Sequence, residues 1–460
     1  VRDLFFALTR NVIGRVGAAL TTASALVFLA LMAVDISGTR PGPYLGILTY
    51  LLIPACFVLG LLLIPLGLAL ERRRARKAAA GGAAGALLPI VDLNLGRTRR
   101  MVASFLALTA VNLALLGIAS HKGAEIMDST RFCGTTCHTI MAPEYVTHRS
   151  GVHGGVPCVA CHIGPGGAWY VRAKVSGARQ VVEAVLDRYP RPIPTPVRNL
   201  RSAAETCTEC HDPARDVGEK RRVIRERADD EASTPQETVL LMKVGGRRGD
   251  DATGIHWHAS PDVEIRYHAD ARREVIDTVE LRRAGRPPET FVLKDAAPAT
   301  GDAAPGEWRV MDCVDCHNRA AHPSRSPERE VDEAIDRGLI DASLPFVRRA
   351  AVRLLKEACG THDKRDGGCA AGLRDFYTKD SAGLAESRRD AIAAAGKAIE
   401  DLGARNLFPA MRVTWGTYPS HLGHMDSPGC FRCHDGEHVT SAGRSISQDC
   451  DTCHRDAASS

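Results

Sequence analysis

Aromatic side chains are scarce in this 460-residue chain, at 5%. A chain of that length ordinarily divides into more than one domain. So few large rings supply a conventional core poorly, which leaves room for large cofactors to fill it. Charge of one sign is also lacking. Fifty-nine Lys and Arg face 54 Asp and Glu, interspersed along most of the chain, for a net +5. That balance excludes the concentrated basic face of a nucleic-acid-binding protein. The start of the chain shows no cleavable signal peptide, because its first apolar run is long and carries no clear small-residue cleavage site.

Long apolar runs are present in the first quarter. Val12–Val34 is apolar apart from Arg15 and a few hydroxyls, and residues 44–70 and 101–119 form two more such runs. Each has roughly the 17–25 residues that cross a bilayer as a helix. The segment 71–100 between the second and third holds Arg72, Arg73, Arg74, Arg76, Lys77, Arg97, Arg99 and Arg100 against Glu71 and Asp92. The positive-inside bias places this loop in the cytoplasm. The N-terminus is then cytoplasmic, and everything after residue 120 is on the outer, periplasmic side of a bacterial inner membrane.

The 15 cysteines are not scattered. Five segments read C-x-x-C-H: Cys158, Cys161 and His162; Cys207, Cys210 and His211; Cys313, Cys316 and His317; Cys430, Cys433 and His434; Cys450, Cys453 and His454. Composition alone yields about 0.02 such segments by chance, so the pattern is specified. Two thiols spaced by two residues match the two vinyl groups of haem, and the following His reaches the iron as proximal ligand. Zinc would not require a His after every pair. A sixth segment, Cys133, Cys137 and His138, has three intervening residues, of which Gly134 can absorb the extra one. It reads as a sixth haem site, with a periplasmic disulfide as the alternative. Of the other cysteines, Cys56 reads as membrane packing, and Cys359 with Cys369 as a disulfide.

Six of the 17 histidines are thus proximal ligands, leaving eleven. Electron-transfer haems commonly take a second His, which closes the iron to substrates. The clustered candidates are His153, His256, His258, His322, His421, His424 and His438. His121, His148, His268 and His362 rank below them.

The expected architecture is a mostly α, membrane-anchored multihaem cytochrome. It has three transmembrane helices, and a haem-packed soluble domain with little regular structure and a small β insertion. Its segments are a membrane domain at 1–120, a triple-haem segment at 121–211 and a haem-free, partly β insertion at 212–310. A single-haem and helical segment at 311–407 and a di-haem segment at 408–460 follow. Runs at 238–244, 263–267 and 278–281 supply the strands, and apolar periodicity at 331–340 and 346–355 supplies helices.

From Phe132 through CGTTCH, Met141, Pro143, Tyr145, His153 and CVACH to Trp169, Lys174 and Gly177, the chain resembles the NapC/NirT/NrfH family of membrane-anchored quinol dehydrogenases. Segments such as CHIGPGGAW, YPRPIPTPV, GIHWH, VTWGTYPSH and SPGCFRCHDGEH resemble the longer ImcH-type inner-membrane cytochromes. The resemblance implies oxidation of menaquinol from the menaquinone pool beside the first haem, and delivery of electrons to periplasmic or outer-membrane c-type cytochromes in anaerobic or extracellular respiration. It implies Met141 as a ligand of the first iron and Lys174 as a quinol-binding cation, with Arg172 a lesser candidate. Gln180 stands where relatives carry an acidic residue, and the first motif is wider than theirs. Two rival functions stay open: a relay subunit without its own quinol site, and a nitrite-type reductase.

Overall fold

The computed structural model describes residues 12–36, 48–78, 93–164, 166–197, 201–212, 218–248, 251–295, 306–357, 368–380 and 382–456. It divides into two compact units, Val1–Thr136 and Cys137–Ser460.

The first unit is helical. It consists of α1 (Val12–Ile36), α2 (Ile53–Ala78), α3 (Gly96–Met127) and the short α4 (Thr130–Thr135). Three of these are long and apolar enough to cross a membrane. The expected second span at 44–70 is entered through a π turn, Leu48–Leu52, and its first residues lie outside the described ones. α1 and α2 approach closely because small residues meet. A Cβ on Gly17 would stand 2.8 Å from the carbonyl oxygen of Gly60, and one on Gly60 would stand 2.4 Å from Thr21 Oγ1. Small residues at a crossing let helix backbones touch, which is how apolar helices associate without a hydrophobic drive between them.

The second unit opens with α5 (His138–Ser150), α6 (Cys158–His162), α7 (Gly167–Val185) and α8 (Ala203–Cys207). Eight strands follow: β1 (Lys220–Arg227), β2 (Pro235–Met242), β3 (Gly246–Arg248), β4 (Asp251–Thr253), β5 (Val263–Ala269), β6 (Ile276–Arg283), β7 (Glu289–Leu293) and β8 (Glu307–Val310). Next come α9 (Cys313–Cys316) and a helical lobe of α10 (Pro327–Asp336), α11 (Val347–Glu357), α12 (Gly368–Asp380), α13 (Ala382–Ser387) and α14 (Arg389–Asn406). Two short strands complete it, β9 (His438–Val439) and β10 (His454–Asp456). The sheets run β1-β2-β10, β3-β4 and β8-β5-β6-β7-β9, all antiparallel. The β region is therefore not closed on itself: β9 and β10 are recruited from the C-terminal segment.

The expectation of little regular structure is corrected by the helical lobe. α10 starts cleanly, with the Ser326 side chain accepting from the Arg329 N–H, Pro327 at its first turn, and Glu328 and Glu330 near its positive end. Val331, Ile340, Leu344, Leu355, Leu373 and Ile399 are completely buried together. Each such side chain contributes about 1.5–3 kcal/mol on burial, so this lobe has an aliphatic core of its own. Cys369, packed in the same core, is disulfide-bonded; Cys359 and His362 lie outside the described residues.

Candidate haem sites

Each C-x-x-C-H segment of the second unit forms one tight helical turn, which sets its two thiols and its His on one local surface. The fourth segment shows how. Asp312 caps α9, and Asp315 closes the capping box by accepting from the Asp312 N–H at 2.6 Å. Asp315 is 2% exposed, and it also takes the Tyr267 phenol at 2.6 Å and an ion pair with Arg273 at 3.2 Å. Burial, followed by this carboxylate, pushes the Tyr267 phenol far up.

Five of the proximal histidines each face one other histidine. Ring centroids are 6.3 Å apart for His162 and His322, 6.1 Å for His211 and His153, and 6.5 Å for His317 and His256. They are 5.9 Å apart for His434 and His258, and 6.1 Å for His454 and His424. Two imidazoles on opposite sides of one iron, with metal–nitrogen bonds of about 2 Å and ring centres about 1 Å behind the nitrogens, stand roughly 6 Å apart. The spacing fits a shared metal.

The other ring nitrogen is accounted for in several of these residues. Nδ1 donates to a backbone carbonyl in His153 (Ala320, 3.0 Å), His258 (Ile255, 2.7 Å), His322 (Glu144, 2.9 Å) and His434 (Ser447, 2.8 Å). That bond fixes the tautomer and leaves the lone pair of Nε2 available to a metal, which is the usual outer-shell arrangement of a metal-bound His. In four of these rings burial disfavours the charged form, and a metal ligand must be neutral. Burial lowers His162, His258 and His317, and takes His322 down to about 4.

His256 and His258 come from one 3₁₀ turn, Ile255–Ala259. Its amides are tied to the β2–β3 connection, the Ile255 N–H donating to Lys243 O at 2.8 Å and the His256 N–H to Val244 O at 3.0 Å. Between the two histidines, Trp257 packs on the sheet core around Tyr267, with the Arg283 guanidinium 5.0 Å over its ring. The haem-free insertion thus places one histidine against each of two segments outside it.

The five segments are also neighbours in chain order. α8 lies against both α6 and α9. The thiols of Cys207 and Cys313 hydrogen-bond, which draws Cys207 down to about 7 and pushes Cys313 up. Cys161 is raised by burial and then by Cys207. Burial pushes Cys316 up to about 11, with Cys430 adding to it, and Cys453 is raised by burial and then by Cys430. The order second, third, fourth, fifth, sixth therefore forms a continuous row.

The remaining expected ligands sit differently. His438 is fully buried, with Nδ1 on the Asp435 carboxylate at 3.0 Å and Nε2 at 3.1 Å from Ile276 O, so both nitrogens are occupied by protein and the residue packs β9 onto the sheet. His421 is buried, held near 4 by burial and then by Arg432, and faces no proximal His among the described residues. Conversely, His148, ranked low from sequence, is buried with its ring 5.8 Å from His322. The signal that could have raised it is its place seven residues after Met141 on α5, on the same helix face. Met141 is half-buried, and the side chain of His138 is outside the described residues.

α7 carries Arg172, Lys174 and Gln180. Lys174 Nζ lies 4.7 Å over the Tyr170 ring, Arg172 lies 4.8 Å over Trp169, and Gln180 Nε2 donates to Ser176 Oγ at 3.2 Å. Residues two apart on a helix point to nearly opposite sides, so Arg172 and Lys174 do not share a face.

Similarity over nearly the whole length decides the family. A curated relative, cytochrome c-type protein ImcH of Geobacter sulfurreducens, is 38% identical over 446 residues, which is 96% of this chain and 87% of that protein. The chain belongs to the ImcH family of c-type cytochromes. As an ImcH-family member with three apolar helices it is an electron-transfer membrane cytochrome that carries covalently bound haem c. No family model matches the chain, and no solved structure matches it.

Proposed function

We propose that the chain is an inner-membrane quinol dehydrogenase. On this reading it takes electrons from menaquinol and passes them through six c-type haems to periplasmic or outer-membrane cytochromes. The observation that supports it is the five histidine pairs at a spacing that fits a shared iron; an iron held by both would be closed to substrate, which favours relay over small-molecule reduction. Haem c supplies reversible one-electron transfer once it is bound.

The protein's own part is position and electrostatics. The cysteine pairs fix each group in place, with Cys133 and Cys137 serving the first site, and His138, His162, His211, His317, His434 and His454 as proximal ligands. His322, His153, His256, His258 and His424 close the second to sixth sites, and Met141 serves the first. Lys174, stacked on Tyr170, stabilises the anionic charge of a menaquinol that is losing its proton, an interaction strengthened in a poorly solvated site. The basic segment 71–100 supports a cytoplasmic loop, which puts the haem-bearing unit in the periplasm.

The test is stopped-flow reduction of the purified, detergent-solubilised protein by a menaquinol analogue, followed in the haem α-band, with Lys174→Ala alongside. Rapid reduction that slows at least tenfold in the variant is expected. Full reduction by dithionite with none by quinol would leave a relay subunit fed by another protein.

A further inference from the structure

The sixth haem segment is the last in chain order and lies beside the fifth, whose His434 Nδ1 donates to Ser447 O just ahead of Cys450. This end is open to solvent: Cys450 is exposed. Three apolar side chains surround its candidate distal ligand. Leu422 and Met425 flank His424 in sequence and are 51% and 58% exposed, and Phe431 stacks on the His424 ring at 4.4 Å. Acidic residues stand in the same two segments, whose His424 and His454 rings are 6.1 Å apart. Asp426 follows Met425, and Asp449 and Asp451 bracket Cys450. All three are exposed, and none forms a salt bridge among the described residues. The nearby Arg455 is already engaged by Glu219 at 2.8 Å, and Lys243 Nζ donates to the Asp451 backbone carbonyl. An apolar centre with a charged rim is the make-up of a small, transient interface, where the rim steers encounter and the centre excludes water.

We propose that this surface docks a small soluble c-type cytochrome whose haem edge is ringed by lysines. The proposal rests on the reading that electrons leave the row of haems for a soluble acceptor. In the docked pair one electron passes from the reduced iron of the sixth site to the oxidised iron of the partner. No bond forms or breaks, and no proton moves. The partner's ammonium groups meet Asp426, Asp449 and Asp451, while its apolar haem rim meets Leu422, Met425 and Phe431.

Horse-heart cytochrome c serves as the probe, with the same protein acetylated on its lysines as the matched control. The full-length protein is reduced with dithionite, so failure of quinol oxidation does not touch the result. Binding is read from amide shifts of ¹⁵N-labelled ferrous probe, and transfer from stopped-flow oxidation of the sixth-site protein by ferric probe. Expected are shifts confined to the probe's haem-edge lysines and a transfer rate that falls with salt. Both should weaken about three- to tenfold in Asp426→Asn/Asp449→Asn and with the acetylated probe, and likewise in Leu422→Ser/Met425→Ser. Zero-length carbodiimide cross-linking of the unaltered protein to the probe should join the peptides bearing Asp426, Asp449 or Asp451, a readout that needs no variant to assemble. Equal response to native and acetylated probe, or cross-links only elsewhere on the chain, would overturn the proposal.

Discussion

The imidazole rings of His258 and His434 stand 5.9 Å apart, each with Nδ1 bonded to a backbone carbonyl, one to Ile255 and the other to Ser447. The two residues come from the β region and from the C-terminal segment, and nothing but tertiary folding brings them together.

Replacing His258 with Ala should open one iron and no other. We expect unchanged haem content by mass and a new high-spin ferric signal equal to one haem in electron paramagnetic resonance. His256→Ala should do the same independently, through the partner of His317, and the double variant should show twice the signal. An all-low-spin spectrum in His258→Ala would mean that the pair does not share a metal.

The widened first segment decides between six and five haems. Intact mass of the purified protein should correspond to six haem additions, dropping to five in Cys137→Ala. If Cys133 and Cys137 were instead a disulfide, the unaltered protein would carry five, and the substitution would leave that number alone.

Tyr267 and Asp315 should matter for stability. Tyr267→Phe removes a 2.6 Å hydrogen bond to a carboxylate that is 2% exposed. A bond to a buried charged group contributes about 1.5–3 kcal/mol, so thermal unfolding should shift down by several degrees. Haem content should stay constant, because the phenol's hydrogen bond goes to Asp315 and not to a thiol or an imidazole. An unshifted transition would mean that Arg273 and Arg309, which also reach Asp315, satisfy the carboxylate without the phenol.

The helical lobe should fail on its own terms. Ile399→Ala empties a fully buried position and should cost about 2–5 kcal/mol. Limited proteolysis should then cut between residues 327 and 406 first, while the haem spectrum persists. Simultaneous loss of haem bands would show that the lobe and the haem row unfold together.

Much of this organisation was legible without a fold. The β-branched runs at 263–267 and 278–281 fall in β5 and β6, and that at 238–244 overlaps β2, which ends at Met242. The periodic stretch at 346–355 became α11, while that at 331–340 ends as a helix at Asp336, with Ile340 buried beyond it. The lobe's closed core was not legible, because low aromatic content points to a shortage of core, whereas aliphatic residues supply it here.

The sequence by itself determined where the cysteine-histidine motifs stand and where apolar helices run, because both are local. Thioether attachment needs two closely spaced cysteines, two residues apart in five segments and three in the first, and a span needs an unbroken apolar run. Which second histidine closes each pair was decided only by tertiary structure. An iron takes any imidazole that reaches it, however far along the chain. Hence His438, a few residues from a haem segment, is held by Asp435 and Ile276, whereas His322 and His153 reach His162 and His211 from other segments. Position in three dimensions, rather than adjacency in sequence, sets coordination, and the folded β region and loops supply that position.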